Sequence, residues 1–330
     1  MVATAALAYD TSMIRLATLA IAAITAAPAS APAAPPGCSS ATAFVGTICA
    51  PSTAGKHPAI LLLGGSEGGD SLANVAPDYA RDGYVAASVA YYRAPGLPQT
   101  LENIPVETIG AALSNIEKRP DVDPDKIAIF GISKGGELAL LAASTYPTIH
   151  AVIADVPSPF AWQGIAADGA SPPTSSWTRG GKPIPYVPFG AEMGPAFAKA
   201  FGTHAALVLR PGYAISADGS TERPAFFPLE KIDGPVLFLS AGDDQIWNSS
   251  AQAKLGLAYL KNAHHRFADE WHDYPDAGHL FLFATPQRPF VDAPFVAGLT
   301  LALGGTPAAN VAAAADANAR IATFLKSALR

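Results

Sequence analysis

The chain has 330 residues, half of them hydrophobic, with a formal charge of −6 and 21 scattered basic residues. That length and apolar content are enough to bury one large core, and with no basic run nucleic-acid binding lacks an electrostatic footprint. The 30 prolines, many of them clustered, point to long shaped loops.

Residues 1–36 differ from the rest. Arg15 is followed by the apolar run Leu16 to Thr25, then by small residues and proline. This is the pattern of a signal peptide, followed here by a Pro/Ala linker through Pro36. Ala27-Pro28-Ala29 and Ala29-Ser30-Ala31 are both candidate cleavage sites, and Met13 is a candidate start. The apolar run is short and alanine-rich for a membrane span. The expectation is an exported protein, periplasmic or secreted, whose mature form has no stable span. Cys38 and Cys49 are the two cysteines. In an oxidising compartment they are expected to pair, closing a small loop that turns at Gly46-Thr47. In the cytoplasm they would be unpaired thiols.

Residues 37–330 alternate strands and helices and read as one α/β domain, a mostly parallel central sheet flanked by helices, with an insertion at about 157–228. Ala59 to Leu63 is a buried strand that runs into Gly64-Gly65-Ser66-Glu67-Gly68-Gly69. The glycine spacing matches neither dinucleotide-binding nor Walker patterns, so no nucleotide cofactor is expected. A short helix to Arg81 tolerates Pro77 only in its first turn. Tyr84 to Ala90 is the next strand and ends in a Tyr91-Tyr92 loop at the sheet's carboxyl edge, where α/β sites lie. Apolar residues at helical spacing predict a helix over Val106 to Arg119, and Pro120 to Asp125 reads as a turn.

Lys126 to Leu140 organises everything else. The apolar run Ile127 to Phe130 is a buried parallel strand, Gly131-Ile132-Ser133-Lys134-Gly135 is a sharp turn, and a helical run follows. Strand, Gly-x-Ser-x-Gly, helix is the nucleophile elbow. The glycines are required because the turn strains the serine backbone and leaves no room two residues either side. The serine hydroxyl then stands at a helix N-terminus, where peptide dipoles favour developing negative charge. In such a chain the glycine-rich loop supplies one oxyanion-hole N–H and the residue after the serine supplies the other. The backbone amides of Ser66 and Lys134 are assigned to those places. Glu137, one turn along, is expected to anchor the buried helix rather than to move protons.

Ala151 to Ala154 is a further strand. The stretch from Pro157 to Pro228 breaks the alternation with prolines, glycines and aromatics, and a loop that long reads as a functional lid; the plainer reading is a decoration with its own small core. Pro235 to Ser240 resumes the sheet and is followed by Asp243-Asp244-Gln245-Ile246-Trp247. An acidic residue after this late strand is expected to orient a histidine. Asp244 is preferred because Ile246 and Trp247 can pack the turn, leaving Asp243 to bond nearby backbone N–H groups. Among the seven histidines, His279 in Asp276-Ala277-Gly278-His279 has the chain order Ser, Asp, His in its favour over His264, His265 and His272. No metal set stands out, because adjacent His264 and His265 diverge on a helix.

These segments together resemble the catalytic domain shared by acyl-CoA thioester hydrolases and bile acid-CoA:amino acid N-acyltransferases, within the dienelactone-hydrolase-like α/β-hydrolases. The resemblance rests on Leu63 to Gly69, Ala90 to Tyr92, Gly96 to Pro98, Ile104 to Glu107, Gly131 to Glu137, Trp177, Gly181 to Pro188, Gly234 to Trp247 and Ala277 to Leu280. It implies a catalytic triad of Ser133, Asp244 and His279 and a small-molecule acyl ester or thioester substrate. Serine, where the amino-acid-transferring branch has cysteine, implies water as the acyl acceptor. Animal-type members carry an N-terminal immunoglobulin-like domain; the short stretch before the first core strand in this sequence leads to the expectation that none is present within it. The alternatives are an acyltransferase on the same triad, or a non-catalytic binding protein of the same fold.

Overall fold

The structure, a computed structural model, describes residues 37–166, 173–294 and 298–330. The expected leader and linker therefore lie outside the described residues, as do residues 167–172 of the insertion.

In chain order the strands are β1 (Cys38–Ser40), β2 (Gly46–Cys49), β3 (His57–Leu63), β4 (Val85–Val89), β5 (Ile104–Pro105), β6 (Val122–Ile132) and β7 (Ala151–Asp155). They continue with β8 (Trp177–Arg179), β9 (Lys182–Pro183), β10 (Val236–Ala241), β11 (Glu270–Tyr274), β12 (Asp292–Pro294) and β13 (Thr300–Ala302). The helices are α1 (Ala76–Arg81), α2 (Glu107–Glu117), α3 (Lys134–Ala143), α4 (Met193–Thr203), α5 (Ser249–Asn262) and α6 (Pro307–Ala328).

An eight-stranded sheet in the order β1-β2-β4-β3-β6-β7-β10-β11 forms the core. Its strands from β4 to β11 pair in parallel, and β1 and β2 are antiparallel. Parallel strands covered on both faces must be apolar on both faces, and this one is. Leu61, Leu63, Ile127 and Ile129 point into one cluster with α2, α3 and α5. Ile60, Leu62, Ala128 and Phe130 point into the other, under α1 and α6. On α2, Ile109, Ala112, Leu113 and Ile116 are buried, the spacing that predicted the helix.

Two local expectations need correction. Gly46 and Thr47 lie inside β2 and make no turn; the hairpin bends at residues 41–45. Gly46 is needed for close approach instead, since a Cβ there would sit 2.0 Å from the Ser88 carbonyl oxygen. Cys38 and Cys49 face each other across that hairpin and are joined as a disulfide. The Pro120–Asp125 turn is partly strand: β6 starts at Val122, opposite His57, and then slips so that Ala59 faces Ile127. Its prolines and aspartates are accommodated in that irregularity. Strand β11, Glu-Trp-His-Asp-Tyr, carried no apolar run because it is a sheet edge with one neighbour, β10.

The segment after β7 builds its own layer. Strands β5, β8 and β9 form a small sheet, and Phe160, Trp162, Val187, Tyr213 and Ala225 pack with Trp247. Helix α4 packs against Leu207 and Leu299, so the insertion also rests on the segment that precedes α6. A single long helix, α6, closes the chain; a 3-10 turn and the β12–β13 hairpin stand before it. Among the described residues no helix is long and apolar enough to cross a membrane.

Candidate active site

Strand β6 carries the chain straight into Ser133, whose φ of 56° and ψ of −121° lie where side chains are strained, at a cost of about 1–3 kcal/mol. Two backbone bonds hold it there. Ser133 N–H donates to the Asp155 carbonyl at 2.9 Å, and the Ser133 carbonyl accepts from Glu137 N–H at 3.0 Å. The flanking glycines are dictated by contact: a Cβ on Gly131 would lie 2.0 Å from the Gly135 carbonyl oxygen, and one on Gly135 2.2 Å from that of Gly64. The strained turn thus follows from sheet, loop and helix meeting at one point.

The serine hydroxyl lies 2.8 Å from His279 Nε2, and His279 Nδ1 lies 2.8 Å from Asp244 Oδ2. These three side chains, 146 and 35 residues apart in sequence, form one continuous line. An ionised carboxylate only accepts, so the ring proton sits on Nδ1 and the Nε2 lone pair faces the serine. Asp244 Oδ1 accepts from the N–H groups of Ile246 at 2.9 Å and Trp247 at 3.2 Å. The Trp247 ring stands edge-on to the imidazole, centroids 5.7 Å apart, and its Nε1 donates to the Val156 carbonyl. Ser133 is 6% exposed, His279 4% and Asp244 0%, so bulk water has little access to the line.

Asp243 does a different job. Its Oδ2 accepts from Gly305 N–H at 2.8 Å and its Oδ1 from the Gln245 amide at 2.6 Å. It ties the turn to the segment before α6, farther along the chain than the local bonding expected of it. The histidine loop is held from the same side. Gly278 N–H donates to Asn310 Oδ1 and His279 N–H to the Leu303 carbonyl, each at 2.8 Å. Asn310 and Arg210, whose guanidinium reaches the carbonyls of Gly242 and Asp244 at 3.0 Å, escaped the sequence reading. Neither carries a motif, and each acts through carbonyl or amide groups remote in sequence. Of the other histidines, His265 bonds Asp269 and the Ile232 carbonyl, and His272 faces Glu270 and Arg320.

The glycine-rich loop lies against the serine, because a Cβ on Gly65 would come within 3.4 Å of Ser133 Cβ. Gly65 N–H is occupied by Glu67 Oε1 at 2.9 Å. Among the described residues the N–H groups of Ser66 and Lys134 have no protein acceptor. Lys134 is turned inward, and its ammonium is buried. It donates to Glu137 Oε2 at 2.9 Å and to Ser176 Oγ at 2.7 Å. Glu137 Oε1 accepts from Trp162 N–H at 2.9 Å and from Trp177 Nε1 at 2.6 Å. Burial pushes the Glu137 carboxyl up and the Lys134 ammonium down, and their pairing opposes both shifts. A carboxylate serving only as acceptor to three donors is ionised. Removing one partner of such a buried pair typically costs about 3–5 kcal/mol. Glu137 therefore anchors the elbow helix to the insertion.

Asp155, at the end of β7, is fully buried, and among the described residues neither of its carboxyl oxygens has a hydrogen-bond partner. Burial, then the nearby Asp244 carboxylate, raises its pKa well above the ordinary carboxylate value. Val156 N–H offers it little, being bonded to the Leu239 carbonyl at 2.8 Å. In the unfolded chain this group titrates at about 3.9. The stability it contributes is therefore complete below that pH and is lost as pH rises towards the folded value. Asp155→Asn removes the titration and keeps the shape. Its melting temperature relative to wild type should rise from pH 4 to pH 8, and an equal difference at both pH values would count against a raised pKa.

Among the described residues no group of three or more His, Cys, Asp or Glu is placed to hold a metal ion. The sheet order and the elbow place this chain among the α/β-hydrolases. A Klebsiella pneumoniae protein assigned as a dienelactone hydrolase superposes with a TM-score of 0.50 at 15% identity, covering 85% of this chain and 92% of its own. The solved protein m3DLH superposes with a TM-score of 0.54 at 16% identity, covering 87% and 93%.

Residues 104–330 match the family described as "BAAT / Acyl-CoA thioester hydrolase C terminal", and the chain belongs to that family. Human acyl-coenzyme A thioesterase 1 is 28% identical over 288 residues, 84% of this chain and 62% of that protein. Human mitochondrial acyl-coenzyme A thioesterase 2 is 28% identical over 287 residues, 84% of this chain and 54% of that protein. The chain thus spans a little over half the length of these relatives.

Proposed function

We propose that this chain hydrolyses carboxylic thioesters or esters, with acyl-CoA-type thioesters as the leading substrate class, through an acyl-serine on Ser133. The observation that carries the reading is the unbroken line Ser133 Oγ, His279 Nε2, His279 Nδ1, Asp244 Oδ2 with both gaps at 2.8 Å. The thioesterase relatives support the choice of substrate class.

Ser133 Oγ attacks the substrate carbonyl carbon while its proton passes to His279 Nε2. Asp244 holds the imidazole in the required tautomer and stabilises its cationic form. The carbonyl oxygen, now an alkoxide, accepts from the N–H groups of Ser66 and Lys134. Such donors act before charge develops, and losing one typically costs about two to three orders of magnitude in rate. Collapse of the intermediate expels the thiolate or alkoxide, which takes the proton from His279. Water then repeats the sequence and frees the carboxylic acid. Residues 157–228 serve as a lid, a role supported by the packing of their aromatic cluster on Trp247, next to His279. A fluorophosphonate probe should label Ser133 stoichiometrically, and purified protein should release free thiol from acyl-CoA. Absence of both labelling and turnover would reject the reading, whereas suppression of free acid by an added amine would favour acyl transfer.

Export through the N-terminal leader is part of the proposal, supported by the Cys38–Cys49 disulfide. Mass spectrometry of protein recovered from outside the cytoplasm should show loss of roughly the first 30 residues, as signal peptides of this kind are removed. No free thiol should be present; an intact Met1 or Met13 would count against export.

A further inference from the structure

The oxyanion loop is glycine-rich, and glycine peptides rotate easily. Something must therefore fix the direction of the Ser66 N–H before substrate arrives. Tyr91 and Tyr92 follow β4, which lies beside β3, so both side chains stand over the loop that leaves β3. The Tyr91 hydroxyl lies 2.7 Å from the Gly64 carbonyl oxygen and 2.8 Å from that of Gly65. The Tyr92 hydroxyl bonds the Ser66 carbonyl, and Glu67 Oε1 takes Gly65 N–H.

A peptide unit is planar and trans, so its C=O and N–H point to opposite sides. Holding the Gly65 carbonyl towards Tyr91 turns the Ser66 N–H away from it. We propose that Tyr91 is a positioning residue for the oxyanion hole, its single O–H shared between the Gly64 and Gly65 carbonyls so that the Ser66 N–H is aimed in advance. This rests on the hydrolase reading above.

The wall behind it ties both amides together. The Tyr91 ring packs on Trp177 with centroids 5.8 Å apart, and Trp177 Nε1 donates to Glu137, the partner of Lys134. One side of this wall braces the loop that carries Ser66. The other braces the first turn of α3, which carries the Lys134 N–H. Tyr91 is buried at 3% exposure, and burial keeps its hydroxyl protonated far beyond neutral pH, so it remains a donor. A tyrosine placed only for packing would have no reason to present its hydroxyl to successive carbonyls of this loop.

Tyr91→Phe removes the hydroxyl and leaves the ring. Because the donor is misaimed rather than deleted, the expected loss in kcat is about 10- to 100-fold, below the full loss of an oxyanion donor. KM should stay within about twofold, since the ground-state carbonyl does not need the donor aimed, and such a split marks an interaction made in the transition state. Affinity for an alkyl boronic acid, which mimics the tetrahedral adduct on serine, should fall by the same factor as kcat. The rate of fluorophosphonate labelling at Ser133, read per labelled molecule by mass spectrometry, should fall in parallel while reaching full stoichiometry. That measurement excludes the unfolded fraction. Unchanged kcat, or unchanged boronate affinity and labelling rate in folded Tyr91→Phe, would overturn the inference. If wild-type Ser133 is neither labelled nor active, the hydrolase reading falls and this inference with it. Full wild-type labelling beside an unaltered Tyr91→Phe variant overturns only the role of Tyr91.

Discussion

Ser133→Ala is expected to lower kcat on activated esters and thioesters by about six orders of magnitude, the loss seen when a triad nucleophile is removed. Its melting temperature should stay close to that of wild type. Alanine meets the same backbone strain at φ 56°, and the two backbone bonds that hold residue 133 do not involve the side chain. Residual turnover should reflect only what the oxyanion donors and substrate binding supply. Activity above about one part in a thousand of wild type would place the nucleophile elsewhere. The same variant should be inert to fluorophosphonate, so labelling that persists would identify a competing serine.

The second large effect separates two neighbouring carboxylates. Asp244→Asn should keep the fold, because an amide oxygen still accepts the bonds from Ile246 and Trp247 that Asp244 Oδ1 accepts now. Its NH2 group, however, would face His279 Nδ1 and drive the ring proton onto Nε2, where it blocks proton transfer from Ser133. Turnover should drop by about four orders of magnitude. Asp243→Asn loses one acceptor to either Gly305 N–H or Gln245, which weakens stability by about 1 kcal/mol. It leaves the proton path whole, so kcat should fall less than about tenfold. Measured under one assay, the pair gives opposite readings. A crippled Asp243→Asn beside an active Asp244→Asn would shift the acid by one residue.

The buried strands were legible because both faces of a parallel sheet must be apolar, so β3, β4, β7 and β10 stand out as unbroken runs. Ser133 was legible for a local reason too: only small residues fit two places either side of that turn. The edge strand β11 and the β1–β2 hairpin were harder. An edge strand buries one side, and the Gly46 that suggested a turn marks a close approach to β4.

His279 and Asp244 could be singled out only by chain order and by the small or apolar residues around them. Local chemistry and spacing thus determined the sheet, the elbow and a short list of partners. The tertiary structure alone decided which members of that list meet. Distances of 2.8 Å between residues 146 and 35 positions apart depend on how β6, β10 and the loop after β11 come together. It alone brought in Arg210 and Asn310, and it alone gave Tyr91 and Trp177, already marked by their segments, their contacts. Those contacts run largely to carbonyls, amides and buried side chains far along the chain, and such pairings leave no periodicity to read.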